Sequence, residues 1–511
     1  MIVGVDVGTS VTKAQLLGRD GRSGPVHEAR GTLRTAPGGR VEQDLDEVVR
    51  TVEEVVRAAA ADAAAFDGQP GETLEALAIT GQGDGLWLRD ADGRSVGPAI
   101  SWLDGRASDR VARWSQPGPD GAEPVLETVH RLTGSGMFPG SAGPLLAHLA
   151  EREPERLERA AVAGYCVDAV VQRFTGEITV DASDASLPFL DVPSRTYNEA
   201  AVAACGLTAQ RRLLAEPAAP GQLFALLPEA ALRLGLPSGL PVSAGPFDIP
   251  ACGFGAGLSE AGQGNLILGT TLACTVRTDK AGPQEMPGFD AQGPAGMWLA
   301  TPYPDRHLRV MPAMVGTAGL DWVLGLIGAG VGDLEDLLAA SPAGANGVTA
   351  LPFLSPGGER APFVDALARG RFDGLNLAAG RADLVRALCE AVAYSARHCM
   401  EALGLAGEVS ACGGGARSAA WSRIFADVLG RDLHIPVEEG VGVRGAAKVA
   451  WDALGAPVGE ERVRGPRRVV RADPAAAEHY EAGYGHYRAE LERARADWHA
   501  PHREQSRGYT S

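Results

Sequence analysis

Ile2-Val3-Gly4-Val5-Asp6-Val7-Gly8-Thr9-Ser10, running on into Val11-Thr12-Lys13-Ala14-Gln15-Leu16-Leu17, decides how the rest of the chain is read. Far downstream the theme returns as Asn265-Leu266-Ile267-Leu268-Gly269-Thr270-Thr271-Leu272-Ala273-Cys274-Thr275. Each is an apolar strand, a glycine–hydroxyl–hydroxyl turn, and a second strand. Glycine lets backbone N–H groups approach an anion closely, and paired hydroxyls add donors, so such a turn can cradle phosphate. Two of them on two halves of one chain predict a nucleotide clamped between two lobes.

At 511 residues the chain is too long for one ordinary domain and should divide into about two to four. With 45% apolar and 22% charged residues it is globular rather than disordered. Its net charge of −17 excludes a nucleic-acid binder, which needs a basic face to release counterions. ATP stays open, because backbone N–H groups, one lysine and a metal ion can hold its phosphates. The three lysines, Lys13, Lys280 and Lys448, follow Thr12, Asp279 and Ala447, so no Gly-Lys-Ser/Thr loop exists and the P-loop route is excluded. Seven scattered cysteines, none spaced C-x-x-C, imply neither a disulfide framework nor a zinc site and suit a reducing compartment. The first strand already carries charged Asp6, and no run approaches the ~18 apolar residues of a membrane span. A soluble cytoplasmic protein without a leader or a membrane partner is expected.

Asp44 is placed to cap a helix whose Val48, Val49, Val52, Val55 and Val56 share one face. Residues 77–80 read as a buried strand running into Gly81-Gln82-Gly83-Asp84-Gly85, and residues 86–88 as another, closed by a turn at 90–93. The Pro/Gly-rich approach at 237–241 sets a boundary, giving a first lobe of 1–245, a second of 246–455, and a helical extension and tail of 456–511. In that extension Asp473-Pro474 opens a helix with Tyr480, Tyr484 and Tyr487 on one packing face, and the tail from His502 is expected to fray.

A charge inside an apolar strand needs a partner, so Asp6 can hold Mg²⁺ or a metal-bound water beside the phosphates, with turn capping as the plain alternative. Thr9, Ser10 and Lys13 would face the same phosphates. Asp248, in the apolar, glycine-rich stretch 244–255, can take the proton of an acceptor hydroxyl attacking the γ-phosphate, or simply cap the helix that Ile249-Pro250 starts. Gly413-Gly414-Gly415-Ala416, before Arg417-Ser418 and a helix, suits close backbone approach to a ring or ribose, or is a plain loop. Gly440-Val441-Gly442-Val443-Arg444-Gly445 matches G-x-G-x-x-G and supports a rival reading, an NAD-dependent oxidoreductase. The tail after Gly445 is too short for the βα units that a dinucleotide fold needs.

Taken together these pieces resemble the FGGY family of carbohydrate kinases, within the actin/hexokinase superfamily. The resemblance runs from Ile2 to about Gly455. It rests on Asp6 to Ser10, Trp102-Leu103-Asp104-Gly105-Arg106, Thr175-Gly176 with Asp181-Ala182-Ser183-Asp184-Ala185-Ser186, Asp248, and Gly269-Thr270-Thr271. Pro352-Phe353-Leu354 through Gly358-Glu359-Arg360-Ala361-Pro362, Gly413 to Ser418, and Gly445-Ala446-Ala447 complete it.

The resemblance implies an α/β fold of two RNase-H-like lobes closing over MgATP and an acyclic sugar or polyol, which lobe closure shields from water. It assigns the base to Asp248, the metal to Asp6, and the nucleotide to Gly8, Thr9, Ser10, Lys13, Gly269, Thr270, Thr271, Gly413, Gly414, Gly415, Ala416 and Ser418. Substrate hydroxyls would meet Gln82, Asp84, Trp102 and Asp104, together with Asp248. Pentulose kinases of the xylulokinase type carry G-Q-M-H-G where this chain has Gly81-Gln82-Gly83-Asp84-Gly85. The exchange of histidine for a carboxylate looks more like the erythritol and L-xylulose kinase branch. A carboxylate accepts two hydroxyl hydrogen bonds, which suits an uncharged polyol and disfavours an aldonate. A non-catalytic sensor on the same fold is the alternative class, and the sequence permits a homodimer without specifying one.

Overall fold

The computed structural model describes residues 1–64, 73–280, 282–283, 293 and 295–500. Strands β1 (Ile2–Val7) and β2 (Val11–Leu17) pair antiparallel around the first glycine turn, and β3 (His27–Arg30) adds to β2. Helix α1 (Leu45–Ala61) follows, its N-terminus capped by the Asp44 carboxylate on the Asp46 and Glu47 amides, with all five valines of the expected face buried. Strand β4 (Ala76–Gly81) lies parallel to β1 on its other side. Helix α2 (Cys166–Thr175), edge strand β5 (Phe224–Ala225), strand β6 (Pro241–Ala244, parallel to β4) and helix α3 (Asp248–Gly255) complete the series. The sheet order is β5-β6-β4-β1-β2-β3.

The second sheet repeats this plan. Strands β7 (Gly264–Leu268) and β8 (Leu272–Thr278) flank the second glycine turn, and β9 (Met297–Leu299) and β10 (His307–Ala313) extend the antiparallel side. Helix α4 (Arg381–Leu403), parallel strand β11 (Val409–Cys412), helix α5 (Ala419–Leu429), parallel strand β12 (Leu433–Pro436) and helix α6 (Val441–Ala453) follow. With edge strand β13 (Arg467–Val470) the order is β9-β10-β8-β7-β11-β12-β13. Both sheets therefore have a three-strand meander and two parallel strands, each lobe ending in a helix. By this correspondence α3, with Asp248 at its start, completes the repeat of the first lobe although it lies past residue 245.

The chain's last helix in the described residues, α7 (Ala477–Trp498), is preceded by a helical turn capped by Asp473. It buries Tyr480, Tyr484 and Tyr487 against Tyr394 of α4, so these rings are core, as their spacing implied. The tail beyond His502 lies outside the described residues.

The two closing helices cross with their backbones touching. A Cβ at Gly255 of α3 would lie 1.9 Å from the Val441 carbonyl oxygen, and one at Gly445 of α6 would lie 1.8 Å from that of Ala251. Helix α6 also packs Val443, Ala446, Ala447 and Ala450 onto Ile2, Ala76 and Ala78 of the first sheet. The G-x-G-x-x-G match is thus a helix start and a helix crossing. Its glycines serve close packing, in line with reading the match as the start of a glycine-rich helix.

Gly445→Ala should destabilise the fold by about 3 kcal/mol or more, the upper range of overpacking. Gly485→Ala, inside α7 with open space around it, should stabilise it by about 0.5–1 kcal/mol through helix propensity. Urea unfolding reads both signs; a neutral Gly445→Ala would show that the helices can separate without loss.

Candidate active site

The two glycine turns meet across a cleft. Thr9 of the first and Gly269 and Thr271 of the second line one cavity of about 220 Å³, together with Asp6, Asp84, Trp102 and Asp248. A longer hollow of about 530 Å³ adjoins it, sharing Asp6, Cys252 and Ile267. This second hollow passes Lys13, Gly413, Gly414, Ala416 and Arg417 on the way to the start of α6. A small pocket therefore opens into a nucleotide-sized groove beside Asp6.

Asp248 is the first helical residue of α3, and its carboxylate takes the Ile249 amide as a partner while lining the small pocket. Its loop is held by hydrogen bonds from the first lobe. Thr80 Oγ1 donates to the Pro246 carbonyl at 2.6 Å, and the Phe247 N–H donates to Ser183 Oγ at 3.2 Å. Ser183 in turn donates to Asp181, so the Asp181–Ser186 stretch brackets the carboxylate. Burial, reinforced by the charges of Asp6 and Asp84 and opposed by the Ile249 amide, pushes Asp248 up to about 8.

Asp6 is pushed by burial to about 6 against the pull of Lys13, which itself pairs with Glu28 at 3.7 Å. Its Oδ1 is buried without a hydrogen-bond partner among the described residues. An orphaned carboxylate oxygen between both phosphate turns fits Mg²⁺ or one of its waters. Among the described residues no group of three His, Cys, Asp or Glu could hold a metal. That suits an ion that keeps water and phosphate oxygens as most of its ligands. Gly442 sits close by, where a Cβ would come 3.1 Å from Asp6 Oδ2.

On the other side of the small pocket, Trp102 Nε1 donates to Thr9 Oγ1 at 2.9 Å, and Thr9 donates to Gln82 Oε1 at 3.1 Å. Gln82 Nε2 donates to Gln43 at 2.9 Å. Gln82 lines the pocket, but both ends of its amide are engaged, so it fixes Trp102 and Thr9 in place. Asp84 sits at φ 58°, a left-handed conformation rare for a residue with a side chain. Burial pushes its carboxyl to about 7 against the pull of Arg360, and Oδ1 has no hydrogen-bond partner among the described residues.

Six expected site residues are engaged elsewhere or lie off the two cavities. Asp104 does not reach the pocket: both its oxygens take a bidentate pair from Arg106 at 2.8 Å, and it accepts from the Val41 amide. Ser418 caps α5 on the Trp421 amide and donates to Glu335, so its hydroxyl is occupied. Gly415 faces inward onto Leu268 and Trp421. Of the turn residues, Gly8 borders a separate small hollow, Ser10 lines neither cavity, and the Thr270 carbonyl accepts from Gly316 and Ala318. Sequence reasoning missed Arg360, Phe138 and Phe247 as pocket walls. Arg360 carried a signal, since Glu359-Arg360 is a charge pair inside an apolar, proline-flanked stretch; the two phenylalanines carried none.

Residues 1–255 match the family model described as "FGGY family of carbohydrate kinases, N-terminal domain", and residues 297–454 the corresponding C-terminal domain. The chain belongs to the FGGY family of carbohydrate kinases. An erythritol kinase of Brucella abortus is 33% identical over 473 residues, covering 89% of this chain and 88% of that one. A xylulose kinase of Escherichia coli is 30% identical over 460 residues, covering 88% and 89%. The crystal structure of xylulose kinase from Rhodospirillum rubrum superimposes with a TM-score of 0.83 at 28% identity, covering 97% of this chain and 99% of that one. This FGGY protein is thus a carbohydrate kinase acting on a small-molecule sugar, built from the two actin/hexokinase-like lobes expected; the oxidoreductase and sensor readings are set aside. None of its helices among the described residues is long and apolar enough to cross a membrane.

Asp84 ordinarily has a value of 3.8, so a folded value of about 7 means its stability contribution is lost as pH rises through 7. Asp84→Asn keeps a side chain that tolerates the left-handed backbone. The variant should therefore match the wild type near pH 4 and gain stability up to pH 7–8, by at most on the order of 4 kcal/mol at ~1.4 per unit. Thermal unfolding across that range checks it; a gain independent of pH would mean the carboxyl does not titrate as described.

Proposed function

We propose that this chain transfers the γ-phosphate of MgATP to a hydroxyl of an acyclic polyol, with a tetritol of the erythritol kind preferred to a ketopentose. The observation that carries this reading is Asp248, a buried carboxylate in the small pocket next to the Asp6 junction with the nucleotide groove. Asp248 takes the proton of the acceptor hydroxyl as that oxygen bonds to the γ-phosphorus and the bond to ADP breaks. Backbone N–H groups and hydroxyls of the turns at Gly8 and Gly269 hold the phosphates, helped by Lys13, and Gly413, Gly414 and Ala416 form the floor for adenosine. Asp6 holds Mg²⁺, which neutralises phosphate charge when bound.

Support for the polyol comes from two directions. A carboxylate, Asp84, stands where pentulose kinases of this family have a histidine, and the erythritol kinase relative is similar across nearly the whole chain. Trp102, held by its bond to Thr9, lays an apolar face against the carbon chain. The seven cysteines are free, as a cytoplasmic enzyme requires.

ADP release should be measured with erythritol, other tetritols and pentitols, D- and L-ketopentoses, glycerol and gluconate. Turnover should be highest on a tetritol, and Asp248→Asn should reduce kcat about 10³-fold, within the range of general-base catalysis. Activity retained in the Asn variant would mean that another group takes the proton. The pH profile gives an independent check. The working form of Asp248 is ionised, so kcat/KM should rise with pH and level off above about 8; a profile flat from pH 5 upward would contradict a buried base with this environment.

A further inference from the structure

Arg360 reaches into the small pocket from the second lobe, while Asp84, Trp102 and Phe138 come from the first. The segment that carries it is locked in place. The Glu359 carboxylate accepts from the amides of Met314 at 2.8 Å, Arg360 at 2.9 Å and Ala361 at 3.3 Å, and Arg360 Nε donates to the Pro312 carbonyl at 2.8 Å. The guanidinium carbon lies 4.4 Å from the centre of the Phe138 ring and 5.7 Å from that of Trp102. Stacking and the Nε bond fix the plane, and among the described residues neither Nη group has a hydrogen-bond acceptor. Asp84 is the first of the two carboxylates whose charge acts on Arg360, yet no salt bridge joins them and Asp84 Oδ1 stays unpaired. The pocket thus holds a set of free donors and a free acceptor, one from each lobe, with an aromatic wall beside them.

We propose that Arg360 and Asp84 together determine acceptor specificity, Arg360 donating to hydroxyl oxygens of the acceptor and Asp84 accepting the hydrogens of those hydroxyls. The inference rests on the kinase reading above and narrows its substrate class to alditols. A hydroxyl both accepts from Arg360 and donates to Asp84. A ketose carbonyl at the same place accepts but has no hydrogen to give, so it leaves the buried carboxylate unpaired, a loss sites of this kind discriminate strongly. An aldonate would satisfy Arg360 but bring its own charge against Asp84. Arg360 has a second role in this pair: its charge opposes the effect of burial on Asp84 and so favours the ionised, accepting form. Because the two groups sit on different lobes, an acceptor that satisfies both ties the lobes together.

The test compares erythritol with erythrulose, the four-carbon ketose, in the full-length wild type, Asp84→Asn and Arg360→Ala. The ratio of kcat/KM for erythritol over erythrulose should fall at least tenfold in both variants, with the KM for ATP within twofold of wild type. Added guanidinium should restore part of the erythritol turnover of Arg360→Ala. An unchanged ratio in both variants would overturn the proposal, as would acceptor and ATP KM values rising together. Calorimetric titration with erythritol separates this from the parent reading. If the wild type turns over neither erythritol nor erythrulose, the proposed polyol acceptor fails. Erythritol binding that is lost in Arg360→Ala would still support the pair, and binding that is absent or unaffected would overturn it.

Discussion

The contact on which the rest of this molecule depends is the crossing of α3 and α6 at backbone distance. Helices normally pack 8–10 Å apart because side chains lie between them. Here Gly255 and Gly445 remove those side chains, and each helix meets the other's carbonyl oxygens directly. Each is the closing helix of its lobe, and each begins at the cleft. The crossing therefore fixes in one stroke the distance between the lobes, the place of Asp248 at the start of α3, and the place of Gly442, beside Asp6, at the start of α6. With so few side chains between them the two helices form the pivot of the fold, and α6 adds a core of its own against the first sheet.

Around that pivot the chain concentrates groups that oppose folding. Asp6, Asp84 and Asp248 are all shifted upward by burial, and Asp6 and Asp84 both raise Asp248 further. Asp84 adds a strained backbone. Among the described residues nothing balances these charges fully: Lys13 opposes the effect of burial on Asp6, and Arg360 opposes it on Asp84. In the proposed reading the compensation would come from the ligands, a cation at Asp6 and hydroxyl hydrogens at Asp84 and Asp248. Stability is held instead by distant features such as the tyrosine cluster under α7 and the two sheet cores.

The parts legible in the sequence were those that local chemistry dictates. The two glycine turns, the Asp44 cap with its valine face, the Asp473 cap and the buried tyrosines all follow from spacing alone, and the structure places each where it was read. Asp248 was legible as a charge in an apolar stretch. What failed were assignments that depend on who else arrives in space. Asp104 looks like any loop carboxylate until Arg106 folds back on it, and Gln82 looks free until Gln43, from far upstream, takes its amide. The glycines at 442 and 445 fit a phosphate loop and a helix crossing equally well, and only the presence of Gly255 opposite Gly445 decides between them.

The duplication itself explains why the site is asymmetric where it needs to be. The two glycine turns are alike, Gly8-Thr9-Ser10 and Gly269-Thr270-Thr271. The positions two residues before each glycine differ: Asp6 in the first lobe corresponds to Ile267 in the second, and both line both cavities. Two carboxylates there would repel each other; the first lobe carries the acid and its counterpart is apolar. The helix starts diverge in the same sense. In the first lobe the first helical residue is a carboxylate, Asp248, lining the small pocket, and in the second it is the apolar Val441, lining the groove. Two copies of one fold thus face each other across the cleft, and their equivalent positions carry a carboxylate in the first lobe and an apolar residue in the second.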